Sequence, residues 1–215
     1  MNDGTAMGAP PGAPSGALSG PPSGAGVVLT CQPRRDGAAL VFAYKLENHG
    51  AADILAMDAM PEYDPATETM RANADAAVVF HHPGGDAVIG KFVPPLPPGA
   101  RAAHAAIPLA FRIRPGASLE RTLHVPLPLA ETSPYFADLT LRGYEQIALA
   151  GVLFTIGFWT ADTPGLAVMP ADYAPELLVV AGGPAAAKAR RATRHFPVTK
   201  LDLFRRTDAF PRPAF

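Results

Sequence analysis

The chain has 215 residues, of which 25 are Pro and 20 are Gly, with 48% hydrophobic residues and a formal net charge of −1. Pro and Gly together make about a fifth of the chain, against roughly 12% in an ordinary soluble domain. No Gly recurs at every third position, which excludes collagen; Pro interrupts every stretch long enough for a coiled coil; the apolar content excludes a chain disordered throughout.

Residues 1–26 are almost entirely Gly, Ala, Pro and Ser, with five Pro and seven Gly. They cannot bury enough surface to offset ordering a backbone at ~1–2 kcal/mol per residue, so a disordered tail is expected there. The tail begins without a basic n-region or an apolar h-region, so no secretory leader is visible.

From Val27 the chain reads as short strands between turn signals. Val27, Leu29 and Cys31 alternate with Val28, Thr30 and Gln32, and Asp36-Gly37 supplies a hairpin turn. Leu40, Phe42, Tyr44 and Leu46 then share one face of a second strand, Asn48-His49-Gly50 turns the chain, and Asp53 to Asp58 opens a third. These three read as a meander or the start of a Greek key. Pro61 to Asp75 is polar with two prolines and reads as a long loop with one helical turn around 67–73. Ala77–His82 and Ala87–Val93 form a hairpin across Pro83-Gly84-Gly85-Asp86, and the Pro-rich 94–99 stretch is an extended connection.

Phe111–Arg114 and Leu119–Val125 alternate as strands, the second with Glu120, Thr122 and His124 facing outward. Tyr135–Gln146 fits a strand or a short helix equally. Gly151–Thr160 is the clearest core strand, with Val152, Phe154, Ile156 and Phe158 on one face and Leu153, Thr155 and Trp159 on the other, as expected for a central strand covered on both sides. Glu176–Ala181 and Val198–Phe204 are the last strand candidates, and the Ala-rich, basic Pro184–Arg194 reads as the single short helix near the C-terminus. Eight to ten strands with Gly/Pro turns define an all-β fold: an immunoglobulin-like antiparallel β-sandwich, with a jelly roll as the alternative. The expected organisation is a tail (1–26), one β-sandwich domain (27–206) and a C-terminal extension (207–215).

Catalytic patterns are missing. Ser118 follows a Pro-Gly turn, where a hydroxyl ordinarily bonds local backbone, and no serine occupies a Gly-x-Ser-x-Gly elbow. Cys31 is the single cysteine, so one chain can form no intramolecular disulfide and no Cys-based zinc site; its strand position points to core packing. His81 and His82 are adjacent on a strand and point to opposite faces, so a metal site would need one of them to converge with Asp86 and His124. Glu62, Asp64 and Glu68 lack the alternating pattern of a calcium loop, and Gly182-Gly183-Pro184 is not a phosphate loop. No cofactor and no catalytic residue are assigned, and a non-enzymatic role is expected.

Charge is the sharpest feature. Residues 188–215 hold eight Lys/Arg against Asp202 and Asp208, a balance of +6, while the other 187 residues hold ten against 17 Asp/Glu, a balance of −7. Lys188, Arg190, Arg191, Arg194, Arg205 and Arg206 are therefore the candidate partner-binding residues, with Arg190, Arg191 and Arg194 expected on one side of the helix. An acidic protein partner or self-association fits them; a nucleic-acid module would be strongly basic overall, which this chain is not. The longest apolar run, Ile147–Trp159, has 13 residues, short of the ~20 a membrane-spanning helix needs. A cytoplasmic location is expected, with a secreted or periplasmic one the alternative if a leader has been removed. The leading function is protein–protein interaction or assembly through the basic end. The alternative is a small-ligand or carbohydrate module using Tyr63, Tyr135, Tyr144, Trp159 and Tyr173, and an enzyme is third.

Overall fold

The computed structural model describes residues 26–96, 106–135, 143–181 and 183–207. The expected disordered tail (1–26) apart from Gly26, the extension (207–215) apart from Thr207, and much of the 135–146 stretch lie outside them. The described chain is nearly all β: β1 (Val27–Asp36), β2 (Ala39–Asn48), β3 (Ile54–Asp64), β4 (Thr69–Asn73), β5 (Val78–His81), β6 (Asp86–Lys91), β7 (Leu109–Ile113), β8 (Ser118–Pro126), β9 (Leu129–Ala130), β10 (Tyr144–Ala148), β11 (Gly151–Thr160), β12 (Val168–Ala171), β13 (Ala174–Val180), β14 (Arg190–Pro197) and β15 (Asp202–Arg206). The one helical element among them is a 3-10 turn, Ala186–Lys188.

A small sheet has the order β1-β2-β8, and a short third sheet has the order β10-β15-β9. The large sheet runs β12-β13-β7-β3-β11-β6-β5, with β14 paired to β11 and β4 to β3. Pairing is antiparallel except for β6 with β11 and β9 with β15. Phe158 of β11 is paired with Arg190 of β14 and with Ala56 of β3. A strand residue has two edges, so β14 holds one edge of β11 while β6 and β3 share the other. Across its upper part the large sheet is therefore β12-β13-β7-β3-β11-β14, and β12 and β14 are its opposite borders.

The core follows the period-2 alternation. Leu40, Phe42, Tyr44 and Leu46 of the small sheet pack against Val152, Phe154, Ile156 and Phe158 of β11, and the Phe42 ring stacks on Phe154 with centroids 4.6 Å apart. The opposite face of the large sheet buries Leu55, Met57, Val88, Phe92 and Trp159, so β11 is covered on both sides as expected. Gly90 lies against β11 so closely that a Cβ there would overlap the Thr155 carbonyl. Asn48 holds the first turn by donating its amide to the carbonyls of Ala52 and Ile113 at 2.9 and 3.0 Å, while its Oδ1 accepts the Gly50 N–H.

Three local expectations change. The third strand does not continue a meander, because β2 is flanked by β1 and β8 and β3 crosses to the large sheet. Residues 61–75 are not a loop with a helical turn but the upper half of β3 hairpinned to β4, with Glu62 paired to Arg71 at 2.9 Å. Both faces of this arm meet solvent, so no apolar alternation marked it. Residues 190–194 are strand, not helix, because eight consecutive residues of β14 complete the β11 ladder; tertiary pairing outweighs the weak helix preference of an Ala-rich stretch. Only one 3-10 turn precedes them.

Candidate functional site

The polar groups that the fold buries lie between the sheets. The β3 ladder to β7 slips at Asp58, which is left without a cross-strand partner between Met57 and Ala59. A bulge of this kind kinks the strand and re-aims its side chain. The Asp58 carboxylate turns inward beside Lys91 of β6 and Arg121 of β8. Arg121 donates from Nε to both carboxylate oxygens at 3.2 and 3.1 Å and from Nη2 at 3.0 Å. The Lys91 ammonium stands 3.6 Å from Asp58 Oδ1 and donates to the Asp58 carbonyl, supplying a donor to a carbonyl that the bulge removes from the ladder. The Lys91 and Asp58 side chains are 2% and 5% exposed.

Tyr44 completes this inclusion. Its ring lies 6.0 Å from the Lys91 ammonium and packs on Phe154, and its buried hydroxyl has no hydrogen-bond partner among the described residues. Burial pushes the Tyr44 hydroxyl above the usual tyrosine range, reinforced by the Asp58 carboxylate. Burial also pulls the Lys91 ammonium below its ordinary range, against the opposing pull of Asp58. Arg121, with a side chain 35% exposed, connects the cluster to solvent. This geometry joins β3, β6 and β8 around one carboxylate. The sequence signal for it is a lone carboxylate inside Ile54–Met60 and a lone ammonium inside Ala87–Val93, each in an otherwise apolar strand.

A shallow depression of about 700 Å³ lies where the cross-strand row of Cys31, Tyr44 and Arg121 in the small sheet meets Arg194 of β14, flanked by Thr30, Gln32, Lys45, Glu120 and Thr122. Arg194 is paired in register with the inward Phe154, so the depression opens on the inclusion's own side of the small sheet and shares Tyr44 and Arg121 with it. Cys31, half-buried beside it, has its thiol pushed up to about 12 by burial, partly opposed by Arg194.

The six basic candidates fall into two places. Lys188 ends the 3-10 turn, and Arg190, Arg191 and Arg194 lie on β14. Strand geometry sends Arg190 and Arg194 to one face and Arg191 to the other, instead of all three to one side of a helix. Arg190 stands 5.9 Å over the Phe158 ring and Arg191 4.8 Å over Phe92. No carboxylate lies within ion-pair distance of Lys188, Arg190 or Arg194 among the described residues. Arg205 and Arg206 belong instead to β15 in the third sheet. Arg205 pairs with Glu145, and the Arg206 backbone N–H donates to Glu131 at 2.9 Å.

Among the described residues the histidines do not converge on a metal site. His124 sits 3.2 Å from Asp75 and His195 3.5 Å from Asp86, while the His82 ring accepts the Gly84 N–H at 3.1 Å. No group of three His, Cys, Asp or Glu side chains among the described residues could hold a metal ion. Of the aromatic candidates, Trp159 is fully buried and donates Nε1–H to the Ala186 carbonyl at 2.9 Å, while Tyr63 and Tyr173 are exposed on hairpins. The Tyr135 hydroxyl accepts the Ala106 N–H at 2.8 Å, and Tyr144 packs edge-on against Phe204. No helix of the described residues is long and apolar enough to cross a membrane.

The fold and its polar inclusion thus define an all-β protein of packed sheets with a basic border strand. No family model, no characterised protein and no solved structure matches the chain.

Proposed function

We propose that the protein is a non-catalytic, immunoglobulin-like β-sandwich that binds an acidic protein partner through the basic β14 border. The observation that carries this reading is a border strand bearing Arg190 and Arg194 without counter-charges among the described residues. β14 pairs only with β11 among the described strands, with β1 running alongside but outside its ladder. Lys188, Arg190 and Arg194 have no carboxylate partner among the described residues, and the ring contacts hold Arg190 and Arg191 in place. Charged residues on a border strand discourage unwanted strand pairing, and the same row attracts an extended chain of opposite charge.

Fluorescence anisotropy with a labelled ten-residue peptide of alternating Glu and Val tests the reading. Binding is expected to weaken steeply between ~0.05 and ~0.5 M NaCl, as the screening length contracts, and to be lost in Lys188→Glu/Arg190→Glu. Equal binding of a Lys/Val peptide, or binding untouched by the double variant, would overturn it.

A second reading, a small-ligand or carbohydrate module, draws on the depression between the small sheet and β14. Its volume of about 700 Å³ lies within the usual ~300–1,000 Å³ of ligand sites, and hydroxyl, amide and charged groups line it. Melting shifts across a sugar and metabolite panel test that reading, and a flat panel removes it.

A further inference from the structure

The uneven charge seen along the sequence becomes a polarity across the large sheet. One lateral border is β14, preceded by Lys188 and carrying Arg190, Arg191 and Arg194. The other is the β12–β13 hairpin. From Ala161 to Ala181 the chain holds Asp162, Asp172 and Glu176 and no Lys or Arg, and these three are exposed with no ion-pair partner among the described residues. The same border exposes the apolar side chains of Met169 and Tyr173. Next to it stands the β3–β4 arm, joined at its base by packing of Ala59 and Ala72 with Ala171, Ala174 and Leu177. That arm exposes Tyr63 and Met70, directly opposed in register, and adds Glu68 to the acidic side.

The two borders cannot meet within one molecule. Five strand steps separate β12 from β14, about 24 Å at ~4.8 Å per step. That exceeds the screening length of ~10 Å at 0.1 M salt. Pro170 leaves β12 without one ladder donor, so this border is poorly suited to strand addition and meets a partner through side chains. Tyr and Met beside carboxylates on one border, and Arg on the other, are the residue types that anchor interfaces.

We propose that the partner of the β14 border is a second copy of this chain, which presents its acidic β12–β13 hairpin head to tail. The proposal rests on the reading of β14 as an interaction surface and names its occupant from charge complementarity. A contact between two different borders is heterologous, so the copies form a ring or an open chain.

Two variants of the full chain separate the borders: Lys188→Glu/Arg190→Glu on the basic side and Asp172→Lys/Glu176→Lys on the acidic side. All four positions are exposed, and each variant is first checked for a melting temperature close to wild type. In sedimentation at ~0.05 M NaCl, wild type is expected to rise with concentration to at least the mass of two chains and to dissociate at ~0.5 M. Each variant alone is expected to stay a monomer. An equimolar mixture brings the intact acidic border of one variant to the intact basic border of the other and associates again. Wild type that remains monomeric up to ~1 mM, or a mixture that does not associate, overturns the proposal. If the Glu/Val peptide still binds such a monomer, only the second copy is refuted and the basic border stands as a docking surface. If the peptide also fails to bind, both readings fall.

Discussion

Asp58→Ala should be among the most damaging single substitutions in the chain. The carboxylate is 5% exposed and faces Lys91, 2% exposed, and Arg121. Removing it leaves the Lys91 ammonium buried with no counter-charge, while Arg121 can turn outward to water. Breaking a buried pair in this way costs about 3–5 kcal/mol, which in a chain of this size lowers Tm by roughly 6–20 °C. Lys91→Met should cost less, about 1–3 kcal/mol, because it strands only the bulged Asp58 carbonyl and keeps the Arg121 pair. The double variant Asp58→Ala/Lys91→Met should lose less than the sum of the two, since its charge imbalance inside the sandwich is gone. Urea unfolding at neutral pH, followed by the fluorescence of the single, buried Trp159, measures all three. The pH dependence gives an independent check. The folded-state pKa of Lys91 lies below its usual 10.5, so the penalty is present at low pH and is relieved as pH rises between the folded value and 10.5. Asp58→Ala removes the carboxylate that holds the pKa up, so its stability deficit should shrink across a wider alkaline window. A loss under ~1 kcal/mol for Asp58→Ala, the cost of an ordinary surface change, would refute the described pairing.

Gly90→Ala should cost at or beyond the upper end of the ~1–3 kcal/mol typical of overpacking, because the new Cβ meets the backbone carbonyl of Thr155; a thermal melt within a degree or so of wild type would contradict the strand spacing. Cys31 has a thiol pKa raised from 9.0 to about 12, so its stabilising contribution is complete below pH 9 and is lost as pH climbs toward 12. Urea midpoints from about pH 8 to 11 should therefore fall more steeply for wild type than for Cys31→Ala, and identical slopes would count against the burial of the thiol. Glu131 accepts the backbone N–H of both His81 and Arg206 at 2.9 Å, tying β5 to β15. Glu131→Ala should remove about 1.5–3 kcal/mol per charged hydrogen bond and speed amide exchange in β10 and β15 before the large sheet; uniform exchange would show that the third sheet does not hang on this residue.

Part of the fold was legible because strand periodicity is local. Phe42, Tyr44 and Leu46, and Phe154, Ile156 and Phe158, alternate so regularly that their inward faces follow from spacing alone. The hairpins at Asp36-Gly37 and at 83–86 were written in turn residues. The β3–β4 arm was not, since a hairpin wet on both faces has no apolar rhythm to display. Nor was β14, whose strand conformation comes from the exposed edge of β11 beside which it lies.

The site was less visible than the fold. Cys31, His82 and His124 were weighed as chemistry, and the structure places each beside a local partner or the core. Asp58, Lys91, Arg121 and Tyr44 were passed over although Asp58 and Lys91 each interrupt an apolar strand. Only a fold can show that those interruptions face one another.

Composition, turn chemistry and alternation by themselves determined an all-β chain, its main inward faces and its division into acidic and basic parts, because each depends on neighbours in sequence. The tertiary structure decided which strands adjoin. It brought a carboxylate from β3, an ammonium from β6 and a guanidinium from β8 together, residues separated by 33 and 63 positions from Asp58. It also turned a charge difference along the chain into opposite charges on two borders of one sheet. Both outcomes depend on strand order, which hydrogen bonding between distant segments sets and local sequence does not encode.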